Sequence, residues 1–350
     1  MASPSDDLIP KASRLNAVPK SSLPPVGFTT TIPLEIVLAA GRKPVDLNNV
    51  FITDPACHDL IDEAEMAGFP RNSCGWIKGL YGATLRRGIR EVIAVTEGDC
   101  SNTKALMEVL QLHDVTTVPF AFPYDRSEVS LGHEIDKLAD HFGVSAEQIE
   151  AARQRLNRVR AKVHEIDRLT WQENRVSGAE NHYYQVCTSD MNGDVDAFEA
   201  EVDAFLEQAR GRQPHSGRLR LAYMGVPPIF TDLYQVLEEC GGQVVFNETQ
   251  RQFSMPYATD SLVEQYRRYT YPYDIFVRLA DIEEEIAKRQ VDGIIHYVQS
   301  FCFRQIEDLI VRQRFKLPIL TLEGDRPGPL DARTRIRIEG FVEMVKARAS

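Results

Sequence analysis

Apolar positions along this chain fall into short, buried-looking runs that alternate with longer stretches of helical spacing. The clearest run, residues 89–96, is rich in Val and Ile and predicts a buried strand. Residues 115–122, ended by Pro123, predict another, and Val50-Phe51-Ile52-Thr53 a shorter one. Between these strands, residues 58–68 and 102–112 carry apolar side chains at helical spacing, with Ser101 placed to cap the second helix. A long helical block follows. Ser145-Ala146-Glu147-Gln148 has the form of a capping box, and the helix it opens extends to about Trp171. Residues 173–217 show turn-rich breaks around a helix at 195–210.

Past the polar stretch 211–217 the alternation resumes. Strands are expected at 219–224, 244–246, 293–301 and 318–322. Helices are expected at 231–240 (closed by Gly241-Gly242), 275–289, 303–314 and 332–347. No internal repeat stands out. Both halves read as βαβ units, so the fold class is α/β: two Rossmann-like doubly wound domains with a long helical connection. The expected divisions are an N-terminal arm at 1–30, a first α/β domain with a helical insertion at 31–212, and a second α/β domain at 213–350. The ligand is expected in the cleft between the domains.

Composition narrows the function classes. The 350 residues are 43% hydrophobic and 26% charged, enough for a sizeable core without disulfide staples. A net charge of −11 argues against a nucleic-acid binder, which needs a basic stripe for phosphates. The start lacks the basic, then apolar, pattern of a signal peptide, and no stretch approaches 18 apolar residues. The expectation is a cytoplasmic protein without membrane contact. Its six cysteines are then free, metal-bound or catalytic.

Familiar motifs are missing. There is no Cys-x-x-Cys, no Walker A loop, no Gly-x-Gly-x-x-Gly after a strand and no Gly-x-Ser-x-Gly elbow. What remains is the placement of three cysteines. Cys100 ends the run from Glu91 to Asp99, and Cys302 ends the run from Gly293 to Phe301, each where a strand gives way to a helix. Cys74 lies in the loop-like stretch Pro70-Arg71-Asn72-Ser73-Cys74-Gly75-Trp76. Ligands collect at the carboxyl ends of strands in α/β folds. Three thiols converging there make a soft-metal site, with an iron–sulfur cluster as the leading candidate. Polar neighbours support a site: Glu97, Asp99, Ser101 and Asn102 beside Cys100, and His296, Gln299, Ser300 and Arg304 beside Cys302. Cys240, Cys57 and Cys187 read as packed or incidental thiols. Glu323 and Asp325 stand where they would cap the last helix or line the cleft. Of Arg333, Arg335 and Arg337, Arg335 is the best placed to pair inward.

The segments His296-Tyr297-Val298-Gln299-Ser300-Phe301-Cys302-Phe303-Arg304, Pro318 to Asp325 and Thr334 to Phe341 resemble the 2-hydroxyacyl-CoA dehydratase and benzoyl-CoA reductase superfamily, in its D-component-like form. The similarity extends upstream to Ile32–Gly41. The stretches Gly68–Gly79 and Glu97–Thr103 are similar to the double-cubane cluster protein branch.

The resemblance implies three metal ligands per subunit, Cys74, Cys100 and Cys302, holding a [4Fe-4S] cluster or half of a sulfide-bridged [8Fe-9S] double cubane. It implies a homodimer that reduces small molecules, and a separate ATP-hydrolysing, cluster-bearing reductase that delivers low-potential electrons. That fits the missing Walker A loop. Three thiolates leave one iron without a protein ligand, open to substrate or a bridging sulfide. Lys78, Asn102, Ser300 and Gln299 are the expected donors to the sulfurs. His296, Gln299, Arg304 and Glu97 are the expected catalytic side chains. Two alternatives stay open: a subunit of a 2-hydroxyacyl-CoA dehydratase, with an unlike partner and radical dehydration of an acyl-CoA, and a non-catalytic electron carrier.

Overall fold

Eight strands in two all-parallel sheets organise residues 23–349, the part described by the computed structural model. The first sheet holds β1 (Pro25–Phe28), β2 (Lys43–Asp46), β3 (Glu91–Glu97) and β4 (Thr116–Ala121) in the order β2-β1-β3-β4. The second holds β5 (Leu219–Gly225), β6 (Gly242–Asn247), β7 (Gly293–Gln299) and β8 (Ile319–Gly324) in the order β6-β5-β7-β8. The two orders are the same, a repeat that the sequence does not display. Each order reverses beside its first strand, between β1 and β3 and between β5 and β7. That is where α/β sheets open a crevice for a ligand. Every residue of β6 and β7 is buried, the polar Gln243, Asn247, His296 and Gln299 along with the apolar residues between them.

Six helices belong to the first half: α1 (Leu34–Ala39), α2 (Leu47–Thr53), α3 (Cys57–Met66), α4 (Gly75–Arg86), α5 (Asn102–Gln111) and α6 (Glu128–Phe142). Three follow: α7 (Ala146–Trp171), α8 (Gly178–Cys187) and α9 (Val195–Arg210). The rest accompany the second sheet: α10 (Leu233–Glu239), α11 (Glu248–Phe253), α12 (Leu262–Arg268), α13 (Ile275–Lys288), α14 (Asp308–Arg314) and α15 (Ala332–Ala349). None of the described helices is long and apolar enough to cross a membrane.

The long helix α7 starts on the expected capping box, with Gln148 N donating to Ser145 Oγ and Ser145 N to Gln148 Oε1 (2.8 Å). It touches both halves. Its Arg160 donates to the buried Glu35 of α1 at 2.7 Å, and its Asp167 accepts from Arg289 at 2.6 Å. Glu35 also accepts from Gln265 Nε2 and Tyr266 OH of α12, each at 2.8 Å. One carboxylate thereby ties α1, α7 and α12. Burial opposes its charge, yet Arg160 and Gln265 hold it below the usual carboxylate range.

Several expectations need correction. Residues 50–53 end α2 and are not a strand; Asp46 caps that helix through Asn48 N at 2.9 Å. The true second strand, Lys-Pro-Val-Asp, has one apolar residue besides its proline and carries no periodic signal. The arm expected at 1–30 lies outside the described residues as far as 22, and β1 occupies its end. Helix α4 escaped notice because Gly75, Gly79 and Gly82 depress helix propensity. The structure shows their use: a Cβ on Gly79 would stand 2.4 Å from the Phe51 ring, and one on Gly82 2.5 Å from Leu60 O. Glycine lets α4 press onto α2 and α3. Part of the turn-rich stretch is α8, opened by a capping box of Ser177 and Glu180. The helix expected at 303–314 splits into a 3-10 turn at Phe303–Gln305 and α14.

Candidate functional site

Each of the three singled-out cysteines begins a helical segment. Strand β3 ends at Glu97 and the chain turns at Gly98 (φ +91°), where a Cβ would stand 2.7 Å from Phe122 Cβ and 3.0 Å from Pro272. Only glycine satisfies both the left-handed backbone and that close approach. Asp99 and Cys100 follow, then α5. Ser101 holds its N-cap position, but its side chain makes no capping bond, contrary to expectation.

Strand β7 ends at Gln299, and Cys302 N donates back to Gln299 O at 3.1 Å. The third residue of that turn, Phe301, has φ +64°, the conformation a type II turn demands there. A non-glycine residue holds it at a cost of about 1–2 kcal/mol. Cys302 then opens the 3-10 turn. Cys74, nearly fully buried, is the N-cap of α4. The next residue, Gly75, is pressed so close to Asp325 O that a Cβ would lie at 2.5 Å. The helix that presents Cys74 is therefore packed against the end of β8, in the other half of the chain.

The three thiols share one neighbourhood and one local device. Cys74 feels the charge of Cys302, and Cys100 that of both Cys74 and Cys302. Backbone amides at each helical start act on the sulfur, those of Ile77 and Trp76 on Cys74, Asn102 on Cys100 and Arg304 on Cys302, although neither Cys74 nor Cys302 accepts a full capping bond. These amides favour a thiolate. Burial outweighs them, pushing Cys74 and Cys100 each up to about 12 and raising Cys302 as well. Such thiols stay protonated until a cation offsets their charge, which is how a metal deprotonates its ligands. Among the described residues no three His, Cys, Asp or Glu are grouped to hold a single ion.

Two charged residues stand beside the thiols. Burial pushes the Asp99 carboxyl up to about 6, against the pull of Arg304. Arg304 is buried, donates to Tyr271 O at 2.9 Å, and lies 4.6 Å from the centre of the Tyr271 ring. A chain of buried ions continues inward. Glu307 accepts from Arg304 (3.5 Å) and Arg278 (2.8 Å), and Arg278 donates to Glu248 at 3.0 Å. Glu248 also accepts from Gly225 N at 3.1 Å, which anchors the chain on β5.

The other expected site residues are engaged elsewhere. Glu97 is exposed and accepts from Tyr124 N at 3.1 Å. Lys78 is buried against Glu65 Oε1 (2.8 Å) and Arg71 O (3.1 Å), and Arg326 joins the same Glu65 at 2.9 Å. The Asn102 side chain is exposed; its backbone amide is what reaches Cys100. Ser300 donates to Glu323 at 2.8 Å. Gln299 donates to Asp325 O at 2.9 Å and accepts from Tyr297 OH at 2.7 Å. Strand alternation turns His296 away from the face of Tyr297 and Gln299. It meets Asp308 at 2.7 Å, where Thr321 and Arg312 also bind. Backbone amides thus do what was expected of side chains.

Further from the site, Arg335 pairs with Asp232, as its position suggested. Asp331 caps α15 through Thr334 N, a part considered for Glu323 and Asp325. Tyr271, Glu307 and Arg278 went unnoticed in the sequence. The run Tyr269-Thr270-Tyr271-Pro272-Tyr273 was the signal that could have pointed to them.

The sequence model of the family described as 2-hydroxyglutaryl-CoA dehydratase, D-component, matches residues 29–345. No curated protein matches the chain.

Proposed function

This chain belongs to the 2-hydroxyglutaryl-CoA dehydratase D-component family, and from that membership we propose that it is the cluster-bearing component of an iron–sulfur enzyme. The family makes it a 2-hydroxyacyl-CoA dehydratase-type component and therefore part of an enzyme. The finer reading is a reductase of small molecules. Cys74, Cys100 and Cys302 hold a [4Fe-4S] cluster, paired through a sulfide with that of a second copy. A separate ATP-hydrolysing, cluster-bearing activator supplies the electrons. The observation that carries this reading is the donor set: three thiols from three elements, one buried and two half-buried, within reach of one another's charge and of the backbone amides at their helical starts. A cubane attaches its thiolates to separate irons, so it suits donors that are not grouped for one ion.

When bound, the cluster supplies low-potential one-electron chemistry at an iron that has no protein ligand. The chain's residues do the rest. Amides of Trp76, Ile77, Asn102 and Arg304 favour the charged form of the thiolates, against the burial that opposes it. The Arg304 guanidinium offsets part of the negative charge that accumulates at Cys302. Gln299 and Tyr297 clamp the ends of β7 and β8, so that Cys302 and the Cys74 helix keep their spacing.

A dehydratase subunit acting on an acyl-CoA is the second reading. The family match favours it.

Anaerobic purification with iron and sulfide counting tests both. About four irons per chain is the expected result for either reading. One extra sulfide per pair of identical chains favours the double cubane; an unlike partner subunit favours the dehydratase. Cys100→Ala and Cys302→Ala should abolish iron binding while Cys240→Ala keeps it. A chain that takes up no iron under reconstitution sinks the cluster reading.

A further inference from the structure

Residues 301–310 reverse the usual arrangement of a surface segment. Its exposed residues are Phe301 (50% exposed), Phe303 (45%), Ile306 (71%) and Leu309 (66%), all large and apolar. The charged and amide side chains between them are taken up within the chain. Arg304 donates to Tyr271 O at 2.9 Å and Gln305 to Glu323 at 3.0 Å. Glu307 accepts from Arg278 at 2.8 Å, and Asp308 meets His296 at 2.7 Å. Single exposed apolar residues, such as Met66 and Leu112, need no explanation. Four within one short segment do.

Phe303, Ile306 and Leu309 recur at every third residue through the 3-10 turn and into α14, so they stack into one ridge. Phe301 and Phe303 flank Cys302, so the ridge begins at the thiol site. The four side chains present roughly 400 Å² of apolar surface. A stable interface takes about 800 Å² from each partner, a little over half of it apolar. This one segment supplies nearly all of that apolar share.

We propose that the ridge of Phe303, Ile306 and Leu309 is the contact between two copies of this chain, packed against its own counterpart across a two-fold axis. The proposal rests on the reading above for the existence of a second copy and adds the face that copy uses. Charge selects a second copy over another partner. A two-fold contact sets the same patch on both sides, so the patch must complement itself, and a ridge without outward charge opposes no like charges. Each chain carries a net charge of −11, so two copies approach with least repulsion on a neutral face. A partner that docks and leaves is steered by exposed charge, which this ridge lacks. The arrangement also brings the two Cys302 turns together, as a centre shared between copies requires.

The test is sedimentation velocity of the full chain, purified anaerobically, with iron counted on the same sample. The expected result is a pair of identical chains for the parent, and pairing weakened at least tenfold by Ile306→Glu and by Leu309→Glu. Both variants should keep the parent's circular dichroism, since both side chains are exposed. Leu112→Glu, an equally exposed position at the far end of α5, should pair like the parent. Ile306→Ser, which adds no charge, should weaken pairing less than Ile306→Glu and decides the matter if the charged variants do not fold. A monomeric parent, a parent that pairs only with an unlike chain, ridge variants that pair as tightly as the parent, or a Leu112→Glu chain that dissociates equally would each overturn the interface. Iron reports separately: a chain that pairs through this ridge without iron keeps the interface and sinks the cluster reading.

Discussion

The two sheets run in the same order, and each delivers a cysteine at the same distance past its third strand: β3 ends at Glu97 and β7 at Gln299, with Cys100 and Cys302 three residues on. The surroundings differ. Cys74 and Cys100 rest on an apolar cluster of Ile77, Leu80, Leu106 and Leu110. Cys302 rests on the ion chain Arg304, Glu307, Arg278 and Glu248. The turn before Cys100 uses a glycine, and the turn before Cys302 forces a phenylalanine into the left-handed region. Topology thus chooses where the thiols stand, while local composition chooses whether packing or charge holds them there.

The largest expected effect tests the ion chain. Glu248→Ala leaves Arg278 buried with half its partners, and should cost about 3–5 kcal/mol in urea denaturation. In the first half the pair Arg42–Glu91 is more exposed, so Arg42→Ala should cost about 1 kcal/mol or less. Equal losses for the two would erase the distinction between the halves.

The turns come next. Gly98→Ala must fit a Cβ against Phe122 and Pro272 in a left-handed backbone, at a cost of about 2–4 kcal/mol. A denaturation midpoint unchanged from the parent would show that this turn is as tolerant as the one at Phe301.

A smaller effect separates the halves by pH. The first half buries a carboxylate beside another: Asp190 accepts from Asp46 N at 3.0 Å. Burial, then the Asp46 charge, pushes Asp190 up to about 7. Unfolded, it titrates near 4, roughly the ordinary value. Between those values the folded state holds the extra proton, so its contribution is full at low pH and lost as pH rises through about 7. Asp190→Asn should flatten that loss, stabilising the chain by about 1–2 kcal/mol at pH 8 and not at pH 4. A variant less stable than the parent at pH 8 would mean that the ionised form is well solvated or paired.

The smallest effect is relief at the second turn. Phe301 is half exposed, so Phe301→Gly removes strain with little lost packing and should stabilise by about 0.5 kcal/mol. A clear destabilisation in thermal melts would show that its ring contributes packing that the exposure conceals.

Much of this was legible beforehand. Strands β3, β4, β5, β7 and β8 carry apolar runs, and α7 and α9 carry caps and periodicity, so each was placed within a few residues. Strand β2 and helices α4 and α8 were not, because a short edge strand and a glycine-rich helix take their stability from neighbours. At the site, residue types were readable and partners were not. Lys78 and Ser300 looked like donors to sulfur, and the structure gives them to Glu65 and Glu323.

By itself the sequence determined the alternation of strands and helices, the family, and which three cysteines stand at the edges of regular elements. Those are local properties: periodicity, turn chemistry and a match along the chain. Only the tertiary structure decided that the three thiols share one electrostatic neighbourhood and that the backbone amides of their helical starts act on them. The first depends on groups up to 228 residues apart, Cys74 to Cys302, coming together through packing, and no local pattern records which distant group will saturate a given donor.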